Sequence, residues 1–383
     1  MNLFWVGIFT TRFSRLAAVL FFVLGSFMAF AQTDSIARIR SPEIALNNDV
    51  TFQISAPRAS KVLLTSGGDF PEIPSGSSLE LVKGENGIWQ LTLAKMNPGA
   101  YRYVFVVDGV RTIDPNNPLI SESNENSWSL FHLAGEAFMD TQQVAHGAVA
   151  EVTYFSSSLN RHRRMHVYTP PGYEKGRDKY PVFYLLHGAM DSDDSWSTIG
   201  RAGFILDNLI AAGAAKPMIV VMPKGHTGPF VMGRSPLPVD EFVQDFLQDI
   251  KPYVEANYRI RNGRKNTAIA GLSMGGAHTL DITMRDLDEF AYIGVFSSGV
   301  FSITENDDWQ KMYDPVLTDN SLKKGLKLFW FATGKDDFLL DRTKATVDLL
   351  RSKDFDITYN ETSGGHTWIN WRNYLREFAP LLF

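Results

Sequence analysis

The chain contains no cysteine in 383 residues. That excludes a cysteine nucleophile, a thiolate metal site, a disulfide framework and a cysteine-linked lipid anchor. A chain of this length can bury enough apolar surface without covalent staples. It has no concentrated lysine and arginine tract, and its formal net charge is -5, so no nucleic-acid partner is expected. Internal repeats are absent, which sets solenoids and propellers aside. No apolar run reaches the ~20 residues a membrane span needs.

The longest such run is nonetheless informative. Arg12 and Arg15 precede "LAAVLFFVLGSFMAF", Leu16 to Phe30, and "AFA", Ala29 to Ala31, puts small residues at the two positions a signal peptidase reads. Residues 1–31 are therefore expected to be a secretory signal peptide, with no stable membrane anchor after cleavage. The expected location is secreted, in the bacterial periplasm.

The remainder divides into two unlike halves. From Val50 to Ile120, short alternating runs such as "VTFQIS", "KVLLTS", "IWQLTLA" and "AYRYVFVVDG" are separated by Gly, Pro, Asn and Asp-Gly signals. That spacing predicts a small all-β, immunoglobulin-like sandwich, bounded at 34–133. Residues 121–147 are polar with weak periodicity and read as the crossing between domains, the linker proper being 134–147. From residue 148 the pattern changes: "PVFYLLHG", "MIVVMP", "TAIAGLS", "YIGVFSSG" and "LKLFWFATG" are near-continuous apolar runs separated by helical patterns. Runs of this kind are strands buried on both faces of a mostly parallel sheet. Residues 148–383 are thus expected to be a three-layer α/β domain, with its site beyond the carboxyl ends of the strands.

The motif "GLSMG", Gly271 to Gly275, ends one such strand and opens a helix. A serine on so sharp a strand-to-helix turn is lifted above the sheet as a nucleophile, and the Met274 N–H at the helix N-terminus faces a developing oxyanion. Ser273 then needs a general base. His278 lies over a turn into the helix and points away from the elbow. His366, in "TSGGHTWINW", follows the last strand-like run, and its two preceding glycines allow the loop to fold over the serine. An acid should follow another strand, and "FATGKDDFLL" offers Asp336 and Asp337, which position alone does not separate. The loop "LLHGAMDSDDSW" is expected to supply the Ala189 N–H as second oxyanion donor, with His187 stabilising the loop and Asp191, Asp193 and Asp194 solvated. No metal ligand set is expected; His162 and His166 read as residues on strand faces.

With these residues in place, the stretch from about Ala145 to Phe383 resembles the esterase D-like α/β-hydrolases, and most of all the family-one carbohydrate esterases, which comprise feruloyl and acetylxylan esterases. "HVYTPPGYEKGRDKYPVFYLLHG", "AGLSMGG", "IGVFSSG", "GKDDFLL" and "GGHTWINWRNYL" look like that family's successive blocks. The resemblance implies an α/β-hydrolase fold, places the acid third after the glycine at Asp337, and puts the oxyanion donors on Met274 and Ala189. The N-terminal half is similar to the family-48 carbohydrate-binding modules. It carries Pro71-Glu72 and Val110-Arg111 where glucan-binding members present tryptophans, so a structural or active-site-flanking role is expected of it.

The resemblance further implies a serine esterase needing no cofactor, with feruloylated or acetylated xylan or xylo-oligosaccharide as partner. Trp368 and Trp196 are expected to contact substrate. Two alternatives remain at this stage: a ferric-siderophore esterase, which would favour cations such as Lys224, Arg234 and Lys335 around the pocket, and a binding protein on a hydrolase fold.

Overall fold

Alternation of apolar and polar residues along short strands builds the N-terminal half. In the computed structural model, which describes residues 39–383 apart from 75, 125, 230–238 and 301–307, two antiparallel sheets face each other. One runs in the spatial order Glu43–Ile44, Val50–Ser55, Ile88–Leu93, Val82–Lys83, and the other in the order Ser78–Glu80, Val62–Ser66, Gly99–Val107, Ser127–Leu133, Ile120–Glu122. Val50, Phe52 and Ile54 point inward from the first sheet, and Tyr101, Tyr103, Phe105 and Phe131 from the second. Phe52 meets Tyr103 edge-on at 4.9 Å between ring centroids, a geometry that aligns ring quadrupoles. The signal segment expected at 1–31 lies outside the described residues.

Two sequence expectations change here. The polar stretch from 121 is not all crossing: Ser127–Leu133 pairs with Gly99–Val107, Ser129 opposite Tyr103 and Phe131 opposite Tyr101, and buries Ser129, Phe131 and Leu133 on one face. Its two-residue period was hidden by serines on the inward face. The strand Gly99–Val107 is also buried on both faces over its first seven residues. Tyr101, Tyr103 and Phe105 fill the sandwich, while Ala100 joins the core of the second domain.

That second domain holds an eight-stranded sheet. Its strands are β1 (Ala148–Ser156), β2 (Arg161–Thr169), β3 (Val182–Leu186), β4 (Ile219–Pro223), β5 (Thr267–Leu272), β6 (Tyr292–Phe296), β7 (Leu328–Gly334) and β8 (Thr358–Thr362), in the order β1-β2-β4-β3-β5-β6-β7-β8. The pair β1–β2 is antiparallel, as is β2–β4, and all later pairs are parallel. Every residue of β3, β4, β5 and β6 is buried. Val182, Tyr184 and Leu186 pack into one apolar layer, and Phe183 and Leu185 into the other.

Helices cover both faces: α1 (Ala202–Ala211), α2 (Val239–Asp245, continued by a π-helical stretch, Phe246–Ile250, into Lys251–Asn257), α3 (Met274–Arg285), α4 (Asp308–Thr318), α5 (Leu340–Ser352) and α6 (Trp368–Phe378). An apolar stripe at three- and four-residue steps along α2 is buried at Phe242, Val243, Phe246, Ile250 and Val254. No helix among the described residues is long and apolar enough to cross a membrane. The result is a three-layer α/β-hydrolase fold preceded by an all-β sandwich, and Ser41–Phe383 form one compact unit.

Residues 134–147 join the sandwich to β1 along a pinned path. The Asn208 amide donates to the carbonyls of Ala137, Phe138 and Asp140, and Met139 is buried in the hydrolase core.

Candidate active site

The carboxyl ends of β5, β7 and β8 bring three side chains together. Ser273 stands between β5 and α3 with φ 51° and ψ -117°, a backbone conformation that costs a non-glycine residue roughly 1–3 kcal/mol. Its surroundings hold it there. The Ser273 N–H donates to Phe296 O at 2.9 Å, and Ser298 Oγ donates to Ser273 O at 2.5 Å. The flanking glycines follow from the tightness of the turn: a Cβ on Gly271 would lie 2.2 Å from Gly275 O, and one on Gly275 would lie 2.6 Å from His187 O.

His366 reaches the serine from the loop after β8. Its Nε2 lies 3.0 Å from Ser273 Oγ, and its Nδ1 lies 3.0 Å from both carboxylate oxygens of Asp337. An ionised carboxylate can only accept, so Nδ1 carries the proton and Nε2 is left to accept from the serine hydroxyl. Burial works to raise the Asp337 pKa, but hydrogen bonds from His366 and the Leu339 N–H, with the attraction of the imidazole, hold it below the usual carboxylate range. Asp336 is exposed; its backbone N–H donates to Gly364 O at 3.0 Å and so fastens the acid loop to the histidine loop. Gly364 has φ 83° and leaves no space for a Cβ beside Asn370.

The loop expected to supply the second oxyanion donor is fixed from behind. The Gly225 N–H donates to His187 Nε2 at 2.8 Å, so a neutral His187 must carry its proton on Nδ1, which donates to Gly188 O at 2.8 Å. Burial pushes the His187 pKa down to about 4 and keeps it neutral. Gly188 O also accepts from the Asp191 N–H at 3.1 Å. With that carbonyl held by two donors, the planar trans peptide turns the Ala189 N–H the opposite way. The loop borders the serine, since a Cβ on Gly188 would lie 3.4 Å from Ser273 Cβ. His226 Nε2 contacts Ala189 O at 2.8 Å. Met274 begins α3, where backbone donors have no partner within the helix.

Several expectations need correction. Trp196 and Trp368 are 0% and 1% exposed and pack edge-to-face at 5.0 Å. Their indole N–H groups donate to Leu186 O and Asp191 Oδ1. They brace the loops and offer no face to a substrate. The three loop aspartates are not solvated: Asp191, Asp193 and Asp194 are all buried. Each found a partner distant in sequence: Asp191 the Arg102 guanidinium, Asp193 both Arg164 and His166, and Asp194 the Glu122 N–H. His278 is buried against Phe242 at 4.6 Å. Of the cations weighed for an anionic substrate, Arg234 lies outside the described residues.

Two residues at the site were missed. Phe338 is 76% exposed, with its ring centroid 4.4 Å from that of His366. Met190, next to Ala189, is 54% exposed. Large apolar side chains standing in solvent beside a polar centre were foreshadowed only by their adjacency to Asp337 and Ala189. A neighbouring basin of about 620 Å³ is lined by Arg161, His162, Arg164, Lys224, His226 and Thr227 among others, and by none of Ser273, His366 or Asp337. It abuts the site through His226.

Residues 156–381 match the family model described as Esterase. The chain belongs to the Esterase family. It is 30% identical over 341 residues to an endo-1,4-beta-xylanase/feruloyl esterase of Xylanibacter ruminicola, an alignment covering 87% of this chain and 44% of that protein. The esterase chain therefore spans less than half the length of this relative. A solved ferulic acid esterase from Anaeromyces mucronatus superposes with a TM-score of 0.57 at 26% identity, over 65% of this chain and 96% of that one. An enterobactin esterase from Shigella flexneri, at 17% identity, gives a TM-score of 0.61 over 87% of this chain and 92% of that one. At that identity the likeness concerns the fold alone, which the two chains share beyond the hydrolase domain.

Proposed function

We propose that this member of the Esterase family is a secreted serine esterase that releases hydroxycinnamoyl, chiefly feruloyl, or acetyl groups from xylan and its oligosaccharides. The observation that carries this reading is the unbroken chain of 3.0 Å contacts from Ser273 Oγ through His366 to Asp337. The xylanase/feruloyl esterase relative and the ferulic acid esterase neighbour support the substrate class. Residues 1–31 would direct export to the periplasm, 34–133 form the sandwich domain, 134–147 the linker and 148–383 the esterase domain.

In this mechanism His366 Nε2 takes the Ser273 proton as Oγ attacks the ester carbonyl carbon. Asp337 stabilises the resulting imidazolium, and the Met274 and Ala189 N–H groups receive the negative oxygen. The tetrahedral intermediate collapses, the bond to the sugar oxygen breaks, and that oxygen leaves with the proton from His366. Water then gives its proton to His366 and attacks the acyl-serine. The bond to Ser273 Oγ breaks, Oγ takes the proton back from His366, and the carboxylic acid is freed. Phe338, exposed against the His366 ring, and Met190, exposed next to Ala189, offer apolar surface to an aromatic acyl group.

The test is hydrolysis of methyl ferulate, acetylated xylan and a ferric tricatecholate ester by the parent chain and by Ser273→Ala. The expected result is serine-dependent release of ferulate or acetate, lost by about four or more orders of magnitude in the variant. Cleavage of the tricatecholate ester alone would move the assignment to siderophore hydrolysis, and activity surviving in Ser273→Ala would remove the proposal.

A further inference from the structure

The sandwich strand Gly99–Val107 sends one arginine out of its own domain. Arg102 lies on the face opposite Tyr101 and Tyr103, and only 4% of it is exposed. Its Nε donates to Asp69 Oδ2 at 3.0 Å within the sandwich, and its Nη1 donates to Asp191 Oδ1 at 2.8 Å in the hydrolase. Both aspartates are buried too, at 1% and 3% exposed. Burial opposes the charge on Arg102, yet Asp69 and Asp191 together raise its pKa above the ordinary value. Arg372 of α6 completes the cluster near Asp69, donating to Ile199 O at 2.9 Å and to Ala100 O at 3.3 Å. Two guanidinium groups and two carboxylates balance in charge.

Such a cluster is poorly explained as a source of stability, because desolvating buried ion pairs consumes most of their attraction. Its position explains more. Asp191 donates its backbone N–H to Gly188 O, the carbonyl whose orientation sets the Ala189 N–H. The same Asp191 Oδ1 that Arg102 holds accepts from Trp368 Nε1 at 3.3 Å, and Trp368 opens α6 two residues after His366. Trp368 meets Trp371 edge-on at 5.3 Å, and Trp371 meets the His366 ring edge-on at 5.0 Å. One carboxylate therefore ties the oxyanion loop to the loop carrying the base, and a side chain from the other domain fixes that carboxylate.

We propose that Arg102 is a positioning residue for the esterase centre, so that the sandwich domain is a working part of the active site in cis. The proposal rests on the reading of Ser273 and the Ala189 N–H given above. Lysine at 102 keeps the charge but cannot present separate Nε and Nη1 donors to two carboxylates; methionine removes the charge.

The experiment measures kcat and KM for methyl ferulate in Arg102→Lys and Arg102→Met of the full chain. Alongside, the rate and final extent of serine labelling by a fluorophosphonate are followed. The final extent counts folded sites, and the rate reads the oxyanion geometry. The expected result is a fall in kcat of about ten- to hundred-fold, with KM within threefold and labelling slowed by the same factor at an undiminished final extent. Ser121→Ala, which removes a separate sandwich contact to Thr198, should leave all these values at those of the parent. If Arg102→Met does not fold, the charge-conserving lysine variant decides. Rates within twofold of the parent, a loss confined to KM, or a loss that vanishes when rates are divided by the labelled fraction would each overturn the proposal. Hydrolysis and labelling that persist in Ser273→Ala would instead refute the reading of the centre.

Discussion

Replacing Asp337 by asparagine keeps the shape of the side chain and reverses the chemistry of one atom. Oδ1 accepts the Leu339 N–H at 2.8 Å, so the asparagine oxygen is drawn to that side. Its NH2 then takes the place of Oδ2, 3.0 Å from His366 Nδ1. The asparagine oxygen at the Oδ1 position also lies 3.0 Å from Nδ1 but already accepts the Leu339 N–H. The NH2 opposes a proton on Nδ1, so the tautomer whose Nδ1 accepts from the NH2, with its proton on Nε2, becomes favoured. That nitrogen would then donate toward Ser273 Oγ when it should accept from it. The wrong tautomer, together with the lost stabilisation of the imidazolium, should lower kcat by about 10³–10⁴, or about 4–5.5 kcal/mol of barrier. KM should stay within about threefold, because neither effect requires a change in substrate binding. The assay is steady-state release of ferulate from methyl ferulate, with Asp336→Asn run in parallel. The side chain of Asp336 is exposed and its contribution to the loop is a backbone N–H, so that variant should stay within about twofold. An Asp337→Asn enzyme within tenfold of the parent would refute this reasoning, as would an equal loss in Asp336→Asn.

Two further outcomes are expected. Phe338→Ala removes the exposed ring against His366 and should lower kcat/KM for methyl ferulate about tenfold, against less than about twofold for an acetyl ester; an equal fall for both would mean that the ring only packs the imidazole. His278 is buried, and burial pushes its pKa from the ordinary 6.5 down to about 3, so below pH 6.5 the unfolded chain takes up a proton that the folded chain refuses. Its contribution is therefore fully present above pH 6.5 and is lost as the pH falls toward 3. Asp194 and Asp281, raised to about 6 chiefly by burial, act in the opposite sense over part of that range, so the effect is read as a difference between two proteins. Between pH 7.5 and 5 the unfolding free energy of His278→Leu should gain about 2 kcal/mol relative to the parent. A difference independent of pH, measured by urea denaturation, would sink the assignment.

The esterase fold was legible because its signals are local. Strands buried on both faces must be apolar throughout, and β3, β4, β5 and β6 are read directly from runs such as "PVFYLLHG" and "TAIAGLS". The glycines around Ser273 are demanded by contacts within a few residues or with the adjacent strand, so the elbow announces itself in five letters. The contact of His366 with Ser273 was reachable by elimination, because a partner for the serine must stand at a strand end in a loop able to turn back. The strand Ser127–Leu133 escaped notice because Ser129 faces inward and accepts the Asp114 N–H, a partner that polarity alone does not reveal.

Everything at the seam of the two domains belonged to the tertiary structure. "DSDD" has the composition of a solvated loop, and its burial follows from Arg102, Arg164, His166 and Glu122, residues 27 to 89 positions away for the bonds concerned. Trp196 and Trp368 likewise have the composition of a sugar platform, yet each is closed in by the other and by backbone acceptors. Sequence pattern records what a residue requires of its own strand or turn. It does not record which distant charge will meet a carboxylate once two domains close on each other, because that pairing is set by the packing of whole sheets. The strand ends, the elbow and the esterase class were thus legible in the sequence alone; which side chains surround the proposed centre was decided only by the packing of hydrolase loops distant in sequence and by the docking of the sandwich against the loop at Asp191.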